Sequence, residues 1–323
     1  MAERNKMKNK TLKAVTSLLP AKIHTIQITT NCGIDIDKIK SMPGLSYVGT
    51  DIRELTGEVL YNLKFNADKY CKNYVPHTAD EYFKIADECL FFVDIDAYTI
   101  SRIDVAIDNN VDDFDTTLKI NRYLLSAMYC SDESLRNSYE SRDFIQMINL
   151  NCKLTSMAND IQIEYYNKLA DAKRKKYNTG AKSRLELRML GNIKYNNFQR
   201  YYLSLLGRAL DSLVLAEKTA NENLLIKYQH YKSDCNNEKR KQNSFIISNA
   251  DCIYSKRQLI SLLLMLNPDM TEMQAVKRAS NLKSRHKVTL EYFTKSDMIA
   301  YINQLKKLIV DYGCRTNSNT KTA

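Results

Sequence analysis

The 323-residue sequence is poor in glycine (8), proline (4) and histidine (4). So little glycine and proline argues against a Gly-rich nucleotide-cradling enzyme, a propeller or a collagen-like chain. The four histidines, at 24, 77, 230 and 286, leave little room for a His-rich metal centre. The eight cysteines form no Cys-x-x-Cys pair. In a chain of this length without a secretory signal they read as free thiols in a reducing compartment, not as a disulfide frame or a zinc knuckle, and a cytoplasmic location is expected. The longest apolar run, Ile260–Leu266, contains Ser261 and falls far short of the ~20 residues that span a bilayer, so no membrane segment is expected. The first 20 residues are basic but lack an apolar core followed by a small-residue cleavage site.

What is present is ordinary globular usage, 44% hydrophobic and 26% charged, over a length that suits two domains. Lys and Arg number 48 against 37 Asp and Glu, a net charge of +11. The excess is segregated. Residues 171–323 hold 28 Lys and Arg against 13 acids, whereas residues 15–170 hold 15 against 23. A segregated excess suits a polyanionic partner such as a nucleic acid. Simple solubility is the plain alternative.

Periodicity outlines the elements. Ile23–Thr29, Gly57–Asn66, Ile100–Asp108, Phe144–Leu154, Asp160–Lys168 and Ser183–Leu190 read as strands; Thr78–Leu90 and Thr116–Met128 read as helices. This order predicts an α+β fold: a mostly antiparallel sheet with helices packed on one face, followed by an all-helical or winged-helix-like C-terminal domain. Asn196–Tyr231 reads as one long or broken helix, and Lys232–Asn243 as a polar linker or exposed turn. Three further helical stretches lie in 253–310, with the short β-rich KVTLEYFT between the last two. The expected divisions are a basic segment at 1–20, an α+β domain at 21–192, a helical domain at 193–314 and a disordered tail at 315–323.

Three of the strands share a chemical peculiarity. In ISRIDVAID, Ile103, Val105 and Ile107 face one way while Arg102, Asp104 and Asp108 face the other. DIQIEYYNK puts Glu164, Tyr166 and Lys168 on its polar side, and SRLELRML puts Arg184, Glu186 and Arg188 there. An exposed sheet face laced with cross-strand ion pairs accounts for any one of these residues. Together they also suit attack by a tyrosine on a phosphodiester. Carboxylates are hard ligands for Mg²⁺ or Mn²⁺, and Arg and Lys hold phosphate oxygens.

The series ISRIDVAIDN, YYNK and SRLELRML, in that order, resembles rolling-circle replication initiators. It is similar to the Rep_trans-type replication initiation factors, the gene-II-type phage and plasmid replication proteins, and the relaxases of some conjugative elements. The resemblance covers roughly residues 20–192. It implies a DNA endonuclease and strand transferase that nicks an origin strand, keeps the 5′-phosphate on a tyrosine and leaves a 3′-OH primer. The matching Tyr-x-Lys makes Tyr166 the nucleophile with Lys168 beside the phosphate. Arg184 and Arg188 match the DNA-holding positions. Asp104, Asp108 and Glu186 match the acidic positions and are the candidate ligands of Mg²⁺ or Mn²⁺. Asp104 and Asp108 lie about 13 Å apart on a straight strand, so one of them, Asp104 by preference, is expected to join Glu186 while the other pairs with an arginine. Many members use a His-hydrophobe-His pair for the metal; this chain has none, and carboxylates would stand in for imidazoles.

Two basic stretches extend the expected DNA contacts. Lys173, Arg174, Lys175 and Lys176 follow the tyrosine strand, where they would track phosphates. Lys277, Arg278, Lys283 and Arg285 lie on one C-terminal helix, which serves either as a recognition helix or as an ordinary surface helix. Expected partners are origin DNA, single-stranded or hairpin, with a host helicase, a DNA polymerase and a second copy of the chain as further possibilities. A non-catalytic DNA-binding initiator or regulator, and a relaxase for conjugative transfer, are the alternative functions.

Overall fold

The computed structural model describes residues 17–70, 79–91, 98–131, 136–141, 144–153, 158–175, 179–191, 195–233, 236–287, 290 and 292–314. Eight strands form one sheet: β1 (Lys22–Thr30), β2 (Leu45–Ile52), β3 (Val59–Phe65), β4 (Thr99–Asn109), β5 (Arg136–Ser141), β6 (Phe144–Lys153), β7 (Ala158–Asn167) and β8 (Ser183–Leu190). Their order is β2-β3-β1-β4-β8-β7-β6-β5, and every neighbouring pair is antiparallel. The helices, in chain order, are α1 (Ile36–Ser41), α2 (Ala67–Tyr70), α3 (Ala79–Phe91), α4 (Phe114–Ser131), α5 (Lys168–Lys175), α6 (Tyr195–Asp211), α7 (Leu213–Gln229), α8 (Glu238–Ser248), α9 (Lys256–Leu266), α10 (Glu272–Arg285) and α11 (Lys295–Cys314). The fold is α+β with a helical C-terminal region. No described helix is long and apolar enough to cross a membrane.

Alternation decides which face of the sheet is apolar. Ile103, Val105 and Ile107 of β4, Leu185, Leu187 and Met189 of β8, and Ile161, Ile163 and Tyr165 of β7 are all buried on one side. On β3 the same side carries Leu63 and Phe65. There α3 closes over it: the Tyr82 ring meets Phe65 edge-on at 5.6 Å, and its hydroxyl donates to the Phe65 carbonyl at 3.0 Å. A bulge between Ile23 and Thr25 interrupts the β1–β4 register. The Ile23 N–H finds its acceptor in the Tyr312 hydroxyl of α11, 3.1 Å away.

The chain divides into two compact units. The sheet unit takes 17–112, 134–204 and 303 onward; the helical unit takes 113–133 and 205–302. So α4, which lies between β4 and β5 in sequence, belongs with the helices and not with the strands that flank it. Its Tyr123 stacks on Tyr254 (4.6 Å, 9°) and donates to Glu217 Oε1 at 2.8 Å, while Arg122 pairs with Asp251 at 2.7 Å. Leu224, Phe245, Leu259, Leu262, Leu263, Ala279 and Leu282 form the core of this unit.

Three expectations need correction. Lys232–Asn243 is not wholly a linker. Helix α8 begins inside it, because the Asn237 side chain caps the Arg240 N–H (3.1 Å) and Gln242, Phe245 and Ile246 find a core to enter. No strand occurs among the described residues of KVTLEYFT; the Phe293 N–H donates instead to the Tyr254 carbonyl at 2.7 Å. Strands β2 and β5 were not anticipated.

Candidate active site

The polar face of the central strands is assembled by register. Tyr166 of β7 stands opposite Arg184 of β8, Glu164 opposite Glu186 and Gln162 opposite Arg188. From the other side β4 brings Asp104 opposite Arg188 and Asp108 opposite Arg184. The expectation of an open, solvated surface is corrected here: Asp104 is 1% exposed, Arg184 3%, Glu186 4% and Asp108 6%. Charges at this depth persist only when paired and hydrogen-bonded, and the face is organised around that requirement.

Two glutamates directly across a ladder repel one another. Arg188 resolves the conflict. Its guanidinium reaches Glu186 Oε1 at 2.9 Å, Glu164 Oε1 at 3.4 Å, Gln162 Oε1 at 2.5 Å and Asp104 Oδ1 at 3.1 Å. Asp104 is also forked by Arg102, at 2.7 and 2.5 Å. Burial nevertheless pushes the Asp104 carboxyl up. Arg184 forks Asp108 at 2.6 and 2.9 Å, and Lys22 lies 3.6 Å from the same carboxylate. There burial is outweighed by the fork, and the Asp108 carboxyl lies below its usual range.

The Tyr166 hydroxyl donates to Glu186 Oε2 at 3.1 Å. Burial and the adjacent Glu186 charge push the phenol well above its ordinary range, so it rests fully protonated. For Glu186, burial is outweighed by His24, Arg188 and Arg184, which bring the carboxyl down to about 2. Lys168 is 5.7 Å from the centre of the Tyr166 ring, and burial together with the Arg184 charge lowers its ammonium to about 8. Tyr165, one residue away, points into the apolar layer and is 1% exposed. Arg184 Nη1 is buried and has no hydrogen-bond partner among the described residues.

The candidate metal ligands are not brought together as a set. Among the described residues no group of three His, Cys, Asp or Glu side chains is placed to hold a metal ion. Asp104 and Asp108 have both oxygens on guanidinium nitrogens, and Arg188 lies between Asp104 and Glu186. The expected trio of Asp104, Asp108 and Glu186 therefore does not fit Mg²⁺ or Mn²⁺ in this arrangement.

The other expected DNA contacts divide. Arg184 and Arg188 are committed mainly to carboxylates. Lys173 and Arg174 are exposed on α5, with Arg174 paired to Asp171 at 2.7 Å. Lys175 ends that helix, and Lys176 lies outside the described residues. On α10, Lys277 and Arg285 are exposed, but Arg278 is 9% exposed and Lys283 sits 4.3 Å from the centre of the Tyr292 ring. Arg278 is thus corrected from a DNA reader to an internal strut.

His24 belongs to this face and was not singled out from the sequence. Burial, reinforced by Arg184, lowers its imidazole to about 3, so the ring is neutral at pH 7. The Asn66 amide lies 3.1 Å from Nδ1. An amide nitrogen only donates, which leaves the ring proton on Nε2. The signal was present in KIHTIQITT: the apolar positions pass from 23 to 26 and 28, a break of phase that one bulged residue produces.

No protein-family model and no curated protein matches the chain. Among solved structures the chain is similar to a rolling circle replication initiator protein from Geobacillus stearothermophilus, at 13% identity and a TM-score of 0.25, covering 54% of this chain and 75% of that one.

Proposed function

We propose that the protein is a replication initiator that nicks one DNA strand by tyrosine attack, with Tyr166 as nucleophile. One observation carries this reading: Tyr166, hydrogen-bonded to Glu186, stands directly opposite Arg184, whose Nη1 is buried without a partner. An unsatisfied guanidinium nitrogen beside a phenol suits a phosphate oxygen, and because that atom is buried the face has to open for DNA to reach it.

In this scheme Arg184 Nη1 and Lys168 hold the scissile phosphate. The Tyr166 oxygen forms a bond to phosphorus as the bond from phosphorus to the 3′-oxygen breaks. The phenolic proton passes to Glu186, the 3′-oxygen takes a proton from solvent, and the 5′-phosphate stays on the tyrosine. The phenolate is not preformed, so proton transfer accompanies attack. The sequence resemblance also brings single-stranded or hairpin origin DNA into the proposal, whereas the Mg²⁺ or Mn²⁺ it implies is given no step, because Asp104, Asp108 and Glu186 as arranged do not fit it. The test is nicking of supercoiled DNA with Mg²⁺, with Mn²⁺ and with EDTA, comparing the parent protein with Tyr166→Phe.

A second reading, a non-catalytic DNA-binding initiator or regulator, is favoured by the closure of Asp104 and Asp108 onto arginines. In that case the polar face is a structural ion-pair network. A relaxase would share the chemistry of the first reading.

A further inference from the structure

Helix α10 is built as a rigid rod with one face left over. Thr271 and Gln274 form a reciprocal capping box at its start: Thr271 Oγ1 accepts from the Gln274 N–H at 3.3 Å, and Gln274 Oε1 accepts from the Thr271 N–H at 2.9 Å. Ala275, Ala279 and Leu282 enter the core of the helical unit. Arg278 reaches back to α8, donating to Gln242 Oε1 (2.8 Å), Asn243 Oδ1 (2.8 Å) and the Lys239 carbonyl (3.2 Å). The first turn of α8, with exposed Lys239 and Arg240, is thereby tied to α10.

The opposite side of α10 exposes Lys277, Asn281, Ser284 and Arg285. At about 100° per residue, Lys277, Asn281 and Arg285 fall within about 80° of arc and about 12 Å of helix axis. Met273, 80% exposed, continues the stripe toward the helix N-terminus. Lys277 and Arg285 have no ion-pair partner among the described residues, and Glu272 is the sole acid on the helix. Ser280, Asn281 and Ser284 are poor choices for the exposed middle of a helix on propensity alone. As groups that recognise base edges they are apt: Arg and Lys pair with guanine, Asn with adenine, Ser with either, and an apolar side chain meets the thymine methyl.

We propose that α10 enters the major groove of duplex DNA, with Lys277, Asn281 and Arg285 reading base edges and Lys239 and Arg240 of α8 contacting the flanking phosphates. The positive charge of both helices matches a polyanion, and the stripe fits one helix width. Duplex RNA does not fit, because its major groove is too deep and narrow for a helix. The inference goes beyond the sheet site and does not depend on Tyr166.

The experiment is selection by the full chain from a library of duplexes with a randomised 20-base-pair core, in EDTA, followed by anisotropy titration of the enriched duplex. The parent protein enriches a short motif. Lys277→Ala, Asn281→Ala and Arg285→Ala each weaken binding to it by about 5- to 150-fold and relax its preference at one position, the range expected for loss of one base contact. Lys239→Ala and Arg240→Ala weaken all duplexes alike and each reduce the salt slope by about 1. All five side chains are exposed, so the variants melt with the parent. The proposal is overturned if the parent enriches no motif, if the Lys277, Asn281 and Arg285 variants bind the enriched duplex like the parent, or if duplex RNA of the same sequence competes equally. The readout is binding, so failure of the nicking assay leaves it intact, and failure here leaves the nicking assay intact.

Discussion

Arg188 donates to Glu186 Oε1 at 2.9 Å, the carboxylate oxygen that Tyr166 does not use. The glutamate is therefore held from one side by a guanidinium and left with its second oxygen on the phenol. Arg188 is in turn fixed through Asp104, which Arg102 forks. A chain of charge from Arg102 to Tyr166 thus runs across three strands with every link a hydrogen bond, and it sets where the phenol stands.

The Arg184–Asp108 fork is the most deeply buried ion pair of the site. Removing one partner strands a charge away from water. Arg184→Ala is expected to lower the unfolding free energy by about 3–5 kcal/mol. Replacing both residues together, as Arg184→Met with Asp108→Leu, recovers most of that loss. Urea unfolding of the two variants against the parent checks it.

Acid sensitivity follows from His24 and Glu186. The folded state holds the imidazole at about 3, against an ordinary value of 6.5, so the unfolded chain takes up a proton first as the pH falls. Stability from this group is complete above pH 6.5 and is lost on descent toward pH 3. Glu186, brought down from 4.5 to about 2, adds a loss that begins below pH 4.5. The melting temperature is therefore expected to fall between pH 6.5 and 4.5, and His24→Gln removes that part of the fall and, because His24 also holds Glu186 down, lessens the further loss below pH 4.5.

In the proposed mechanism Lys168 gives nicking a pH limit. With its ammonium lowered to about 8, it loses above that pH the charge that the proposal assigns to holding phosphate. The nicking rate at saturating DNA is expected to decline above pH 8, and Lys168→Arg, which stays charged, moves the decline to higher pH. An unchanged profile in the arginine variant removes Lys168 from the phosphate site.

Much of this was legible in the chain. Strict alternation in ISRIDVAID, DIQIEYYNK and SRLELRML fixed which side chains share a face, and it separated Tyr166 from Tyr165. The burial of that face was not legible, because alternation shows only that two sides differ and does not show what closes over each. Nor was the use of Arg184, Arg188 and Arg278 as struts, since an arginine that binds phosphate and one that binds an internal carboxylate or amide oxygen have the same spacing. The membership of α4 in the helical unit depends on Tyr123, Tyr254 and Glu217, which lie far apart in sequence. His24 was hidden by a bulge whose phase break occupies a single residue.

The most direct test of the account is recovery of the protein after incubation with supercoiled DNA, followed by nuclease digestion and peptide mass analysis. The account predicts a 5′-phosphonucleotide on the peptide carrying Tyr166, absent in Tyr166→Phe, whose fold is retained because Arg188 still holds Glu186. Nicking by Tyr166→Phe at the parent rate, or an adduct on another tyrosine, contradicts it.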